Sequence, residues 1–386
     1  DNDVNWIRIS DTEKGSKYIT HTSRKLIASG ISKSRFIKRG NLILTNSMSF
    51  GEPYILDIDG CIHDGWVAFS DFKKIDKEFL YYFLTSPLAK IQFEQQVDGG
   101  VVKNLNIDKI GDTVILLPSL IDQNKIIAHL DSLTSETNSL LSKTITSIED
   151  YKKLKQAVIT QAVTKGVRGE REMKDSGVEW IGEIPKEFDS VQLKFFCKLI
   201  TDGTHFSPNT VETGFPYITA GDVHGIGLDY NSAKRISEED FQLLVAQGCQ
   251  PLKGDVLLVK DGATTGRVGF VDSDTPCVIL SSVAMLRPAD KTDGHYLMYL
   301  LASDFLQKQI LVSMAGSAMP RTTLTKLTKY IGLLPPLYEQ KEIANYLDAK
   351  CAEIDGLIAK KEQLVKELES YKKSLIYEVV TGKREV

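Results

Sequence analysis

The residues of this chain that could do chemistry are cationic and polar rather than catalytic. Lys260-Asp261-Gly262-Ala263-Thr264-Thr265-Gly266-Arg267 places two basic side chains and two threonines on a glycine-punctuated stretch. Such a loop can bring its backbone close to a nucleic-acid strand while Lys260, Thr264, Thr265 and Arg267 reach phosphates or base edges. Arginine to guanine is the commonest direct contact of this kind. Arg321-Thr322 offers the same groups, and His205, within Thr201–Phe206, adds another. Within residues 8–39, Arg8, Lys14, Lys17, Arg24, Lys25, Lys33, Arg35, Lys38 and Arg39 stand against Asp11 and Glu13 alone, with Ser and Thr interleaved. A local surplus of this kind suits phosphate contacts, which supply affinity without sequence preference. The plainer readings, a solvated lysine-rich face and a hairpin turn at Asp261–Gly266, stay open.

Catalytic patterns are missing. There is no GxxxxGK[ST] phosphate loop, and Gly225-Ile226-Gly227 lacks the third glycine of a dinucleotide fingerprint. There is no Asn/Asp-Pro-Pro-aromatic tetrapeptide to grip an adenine amine, and no GxSxG marks a nucleophile. His21, His63, His129, His205, His224 and His295 show no HExxH or paired metal spacing. The expectation is a binder with no catalytic residue and no metal site.

Composition sets the outer limits. With 386 residues, 42% hydrophobic and 25% charged, the chain is ordinary globular material for two or more domains. The net charge of −4 makes any nucleic-acid site a local patch. Residues 1–117 carry 15 basic and 15 acidic side chains, and 173–334 carry 15 and 19. The five cysteines, Cys61, Cys197, Cys249, Cys277 and Cys351, have no CxxC spacing, which reads as reduced thiols serving as small hydrophobes in the cytoplasm. No run of 18 apolar residues is long enough to cross a membrane.

The elements that must position these loops are duplicated. LLPSLIDQNKIIAHLD from Leu116 lies over LLPPLYEQKEIANYLD from Leu333, and the offset of 217 residues holds without a gap to Val163-Thr164 against Val380-Thr381. Upstream the match is looser. KRGNLILT from Lys38 resembles LKGDVLLV from Leu252, FLYYFL from Phe79 resembles YLMYLL from Tyr296, and GGVVKNLNIDKI from Gly99 resembles GSAMPRTTLTKL from Gly316. The last match adds Lys103 and Asn104 to the DNA-contact candidates.

In the repeated pieces apolar positions alternate spacings of four and three, the pattern of a coiled-coil seam. One copy runs through Leu130, Leu133, Leu140, Tyr151 and Leu154, the other through Leu347, Ile354, Leu357, Leu364, Leu368 and Tyr371. Pro118 and Pro335-Pro336 predict the helix starts, and Gly166 and Gly382 the ends. Neither helix is apolar enough to stand alone, so each is expected to pack antiparallel on the other. The remaining halves read as mixed α/β, with short strands at Asn41–Thr45, Val114–Leu117 and Asp255–Val259 and a helix over His295–Leu311.

Two variable halves alternating with two repeated helices resemble the specificity subunit of type I restriction–modification systems. Leu252–Gly266 is similar to the motif of the family's target-recognition domains. Trp180-Ile181-Gly182-Glu183-Ile184-Pro185 resembles their opening segment, and Leu-Pro-Pro-Leu-Tyr-Glu-Gln from Leu334 resembles the start of their spacer helices. The resemblance spans essentially the whole chain. It implies an α+β fold: two mixed α/β target-recognition domains joined by two long antiparallel helices forming a coiled coil, with a pseudo-twofold repeat. The boundaries would be 1-117, 118-172, 173-334 and 335-386. Trp6 aligns with Tyr217, so about forty residues are expected ahead of Asp1, and the first half has Thr45-Asn46-Ser47 where the second has Val259-Lys260-Asp261.

The resemblance further implies a non-catalytic, cytoplasmic subunit that reads a bipartite target in double-stranded DNA. Two methyltransferase subunits would dock on the helices, bringing S-adenosylmethionine and adenine-N6 chemistry. Restriction and translocation subunits would bring ATP and Mg. A helix of about 43 residues at ~1.5 Å each is roughly 65 Å long, about 19 base pairs at ~3.4 Å, which suits a ruler between half-sites. The alternatives are a coiled-coil scaffold without DNA affinity and a self-contained DNA methyltransferase.

Overall fold

Val256–Val259 is a continuous apolar run, and all four of its side chains are buried, as a strand covered on both faces requires. It lies between Val268–Phe270 and Val283–Pro288, antiparallel to both, with Cys197–Asp202 completing a four-stranded sheet. Leu42–Thr45, its counterpart in the first half, is equally buried and lies between Pro53–Leu56 and Trp66–Phe69, again antiparallel to both. Each half also has a second sheet built on a parallel pair, Val4–Ile7 with Gly60–Ile62 and Phe215–Ile218 with Val278–Ile279. The two halves therefore share the three-stranded centre of the first sheet, while its fourth strand is added on a different edge: Cys197–Asp202 pairs antiparallel with Val283–Pro288, but Tyr18–Ile19 pairs parallel with Pro53–Leu56. The structure is a computed structural model and describes residues 3–13, 15–46, 51–96, 105–178, 181–314 and 320–386.

By contact density the chain divides into two units, 1–148 with 360–386, and 149–359. Each unit takes one end of both long helices, Leu120–Lys165 and Leu337–Val380. This partition differs from the four segments read from sequence, because helices with so thin an apolar stripe bury it against the sheet-and-helix heads. In the first unit Leu130 packs with Leu375, Ile376, Val379 and Val380 among Phe79, Phe83 and Leu105. In the second, Ile159, Ala162 and Val163 pack with Ile343, Ala344, Leu347 and Cys351 among Tyr296, Leu300 and Leu327. Within each unit the start of one helix thus lies beside the end of the other, an antiparallel pairing.

The helix ends follow the punctuation in the sequence. Gly166 (φ +74°) and Gly382 (φ +70°) take the left-handed conformation that closes a helix without a Cβ penalty. The seam departs from the strict heptad register. Leu130, Leu347 and Ile354 are buried, and Leu133, Tyr151, Leu357 and Leu368 are half-buried, but Leu140, Leu154, Leu364 and Tyr371 are exposed. A straight helix gains ~20° per heptad on a 3.5-residue repeat, so the buried stripe slips by one position. It passes through Ile148 rather than Ser147, and through Cys351 rather than Lys350.

Three local expectations change. Val114–Leu117 forms no strand, whereas its counterpart Ile331–Leu334 pairs with Asp189–Gln192. Among the described residues the first unit offers Val114–Leu117 no such partner, and Leu116 is 54% exposed where Leu333 is fully buried. The helix expected over His295–Leu311 breaks at Ser303 into Gly294–Ala302 and Asp304–Ser313, the Ser303 hydroxyl accepting the Leu306 N–H. The stretch from Lys165 to Gly177, whose polar sequence reads as a linker, is instead tied down. Arg168 pairs with Glu342 at 2.8 Å and Arg171 with Glu339 at 2.5 Å, and Met173–Asp175 pairs with Glu183–Pro185.

All five cysteines are free thiols. Burial pushes Cys277 up to about 12, and burial aided by the Asp255 charge does the same to Cys197, so neither is a reactive thiolate. Among the described residues no helix is long and apolar enough to cross a membrane.

Candidate nucleic-acid interface

In the second unit three loops converge. The strand Cys197–Asp202 runs out into Gly203-Thr204-His205-Phe206, and Val256–Val259 runs out into Lys260–Arg267. The segment from Pro320 to Thr322 closes on the latter through an antiparallel bridge between Asp261 and Arg321. Backbone bonds fix the junction. Lys260 N–H donates to Ser282 O at 2.8 Å, Thr322 N–H to Lys260 O at 2.9 Å, and Gly262 N–H to Pro320 O at 3.0 Å. Thr265 Oγ1 donates to Gly262 O and Pro320 O. Gly203 is obligatory, since a Cβ there would sit 1.9 Å from Ile279 O.

The charges on these loops alternate. His205 Nε2 lies 3.9 Å from Asp202, and Lys260 Nζ lies 3.3 Å from Asp202 and 2.8 Å from Asp261. Arg321 Nε lies 2.8 Å from Asp261. The two ends face solvent, His205 at 75% and Arg321 at 60% side-chain exposure, while Lys260 in the middle is at 4%. Lys260 is therefore a buried ammonium held by two carboxylates, not a free phosphate contact. Thr322 is also withdrawn: it is fully buried, with its hydroxyl against Tyr330 Oη at 2.6 Å. Thr264 and Thr265 are half-buried.

Arg267 is exposed, its guanidinium 3.5 Å from Val223 O, and it borders a cavity of about 430 Å³ with Lys152, Lys155 and Asp355 of the long helices. Asp202 and Asp261 are the organisers that reasoning from basic residues passed over. Each sits one or two residues from a glycine in the same loops, a signal the sequence does contain.

The first unit uses its cations differently. Arg8 is held by Asp11 at 3.2 Å and by Ser23. Burial pushes the Asp11 carboxyl up, but hydrogen bonds from Ser23 and Arg8 outweigh it and bring the group down to about 2. Lys17 pairs with Glu78 at 2.7 Å and Asp131 at 2.6 Å beneath the Tyr82 ring. Burial pulls its ammonium down, yet those two carboxylates leave it above its ordinary value. Arg8 and Lys17 are thus engaged within the protein, whereas Lys25 and Arg35 remain exposed, Arg35 donating to Trp66 O at 2.8 Å. Lys14, Lys103 and Asn104 lie outside the described residues. Asn46 occupies the place of Lys260: its carbonyl accepts the Leu105 N–H at 2.9 Å, as that of Lys260 accepts the Thr322 N–H. That backbone bond is common to both units, and the side chains at the two positions differ.

The duplicated halves and helices coincide with a match to the family model of the type I restriction modification DNA specificity domain, over residues 1–150 and 185–367. The chain belongs to this family. As a type I specificity-family member it is 26% identical to the MjaVIII specificity subunit of Methanocaldococcus jannaschii, over 95% of this chain and 86% of that one. It is 25% identical to the EcoBI specificity subunit of Escherichia coli, over 74% of this chain and 60% of that one. Its fold is similar to a chain solved in work on complex assembly and conformational transition of the type I R-M system, with TM-score 0.76, 18% identity, and 98% and 91% of the two chains covered. The HsdS subunit from Thermoanaerobacter tengcongensis is also similar, with TM-score 0.51, 19% identity, and 99% and 91% covered.

Proposed function

We propose that this chain is a DNA-reading specificity subunit in which each unit reads one part of a split double-stranded target. The observation that carries this is the loop cluster of the second unit, where His205, Arg321 and Arg267 stand exposed on a backbone locked at strand ends. Exposed cations on a rigid support suit base-edge and phosphate contacts, since each side chain meets the duplex with its pose already set. In the first unit the exposed Lys25 and Arg35 are candidates for phosphate or base contacts.

The long helices are the spacer between half-sites and the dock for two methyltransferase subunits. The exposed Leu140, Leu154, Leu364 and Tyr371 supply apolar surface for partner helices. S-adenosylmethionine and the adenine-N6 chemistry belong to those subunits, ATP and Mg to restriction and translocation subunits, and none of the reaction to this chain.

The test is selection from a randomised duplex library, with the chain alone and with a methyltransferase subunit, followed by a methylation assay. Enrichment of a bipartite sequence in the complex supports the reading. Methylation by the chain alone assigns the chemistry here instead, and no enrichment in either case leaves a scaffold. Inserting one heptad in both long helices should lengthen the unread gap of the selected target.

A further inference from the structure

We propose that Asp261 is the positioning residue of the second unit's reading loops: anchored by the buried Lys260 ammonium, it holds the Arg321 guanidinium in the pose that reads a base, and Lys260 itself does not touch DNA. The inference rests on the DNA-reading function proposed above and assigns separate roles to residues that look alike in sequence.

Three observations carry it. Asp261 engages Arg321 through Nε, at 2.8 Å, and among the described residues no other ion pair involves Arg321. The contact is a charge pair at one side of the guanidinium, and with 60% of the Arg321 side chain still exposed the group stays open to a ligand that can be recognised in bidentate fashion. The contact is also no chance crossing of two mobile side chains, because the backbones of Asp261 and Arg321 are bridged and the adjoining Gly262 N–H and Thr265 hydroxyl both donate to Pro320 O. Finally, Lys260 at 4% side-chain exposure has Asp202 and Asp261 as its charged partners. It cannot reach a phosphate without removing the cation that lies between Asp202 and Asp261, which costs as the breaking of a buried pair does. Asp202, Lys260, Asp261 and Arg321 sum to zero charge, so the loop presents one tethered cation without a net repulsion of its own.

The sign of one substitution separates positioning from contact. Asp261→Asn removes an anion beside the DNA and frees Arg321. Binding to random-sequence duplex should therefore tighten, by roughly two- to fivefold for one partly exposed charge. Preference for the selected sequence over random duplex should meanwhile fall by about ten- to a hundredfold, the worth of one bidentate base contact. Asp261→Glu keeps the charge but moves the tether by one methylene, and should lose preference without the gain in random-sequence binding.

The measurement is a titration of fluorescent duplexes, one enriched from the randomised library and one scrambled, with the full chain in the preparation that performed the selection. Preference unchanged in both Asp261 variants overturns the proposal. So does a drop in both affinities for folded Asp261→Asn, which would mean a merely structural role. Wild-type protein that enriches no sequence overturns the DNA-reading function, and this inference with it.

Discussion

Gln340 Oε1 accepts the Asp293 backbone N–H at 2.8 Å, while its Nε2 donates to Lys291 O and Pro335 O at 2.9 and 2.8 Å. One buried amide at the start of the second long helix thus binds the cap of Gly294–Ala302 to the Pro335 turn. Gln123 repeats the arrangement in the first unit: Oε1 accepts the Asp76 N–H at 2.7 Å, and Nε2 donates to Lys74 O and Pro118 O at 3.0 Å. Tyr299 donates to Asp348 at 2.8 Å, and Tyr82 donates to Asp131 in the same way. Those three polar positions, present in each copy, dock each head on its helix, which is why they survive in both copies while the loops diverge.

Gln340→Leu should therefore destabilise strongly for a polar substitution. It leaves the Asp293 N–H and two carbonyls buried without partners, at about 1–3 kcal/mol for the orphaned groups. Gln123→Leu should cost a similar amount. Urea unfolding of the two variants checks both, and a shift of less than half of that range in either would deny the lock its role.

The seam makes a contrasting pair. Leu347 is fully buried and Leu154 is 49% exposed. Leu347→Asp buries an unpaired carboxylate and should lower the melting temperature sharply, while Leu154→Asp should leave it nearly unchanged, within ~0.5 kcal/mol for a surface site. If Leu154 lies under a methyltransferase subunit, Leu154→Asp should weaken co-purification of a chain that folds normally.

Leu333 and Leu116 occupy the same place in the two copies but not the same environment. Leu333→Ala should cost about 2–5 kcal/mol as a core truncation, and Leu116→Ala less than ~0.5 kcal/mol. Equal losses on chemical denaturation would mean that Leu116 is covered after all.

Acid should act on the Arg8–Asp11–Ser23 cluster. The folded carboxyl at about 2 lies below its ordinary 3.8, so the stability it contributes is complete above pH 3.8 and is lost as pH falls toward 2. Asp11→Asn should therefore unfold at nearly the same pH-dependence above pH 5 as wild type, but with a shallower loss between pH 4 and 2. A circular-dichroism acid titration with an unchanged slope in that window would speak against the assignment.

Much of this protein was legible without coordinates because repeats and helix punctuation are local. The offset of 217 residues paired Gln123 with Gln340 and Asp131 with Asp348, and Pro118, Pro335, Gly166 and Gly382 bounded the helices through backbone rules that need no neighbour. The fold class and the family followed from that order. What the linear pattern lacked was the third dimension of charge and register. Lys17, Lys260 and Arg321 are alike as letters, yet Lys17 and Lys260 meet two carboxylates each and Arg321 meets one through Nε, because distant segments bring those carboxylates alongside. Leu140 and Leu154 fit a heptad yet face outward, because the helix turns every 3.6 residues and the heads decide which stripe is covered. Spacing along a chain fixes which elements form, but burial and ion pairing depend on what packs against them, and only the folded chain specifies that.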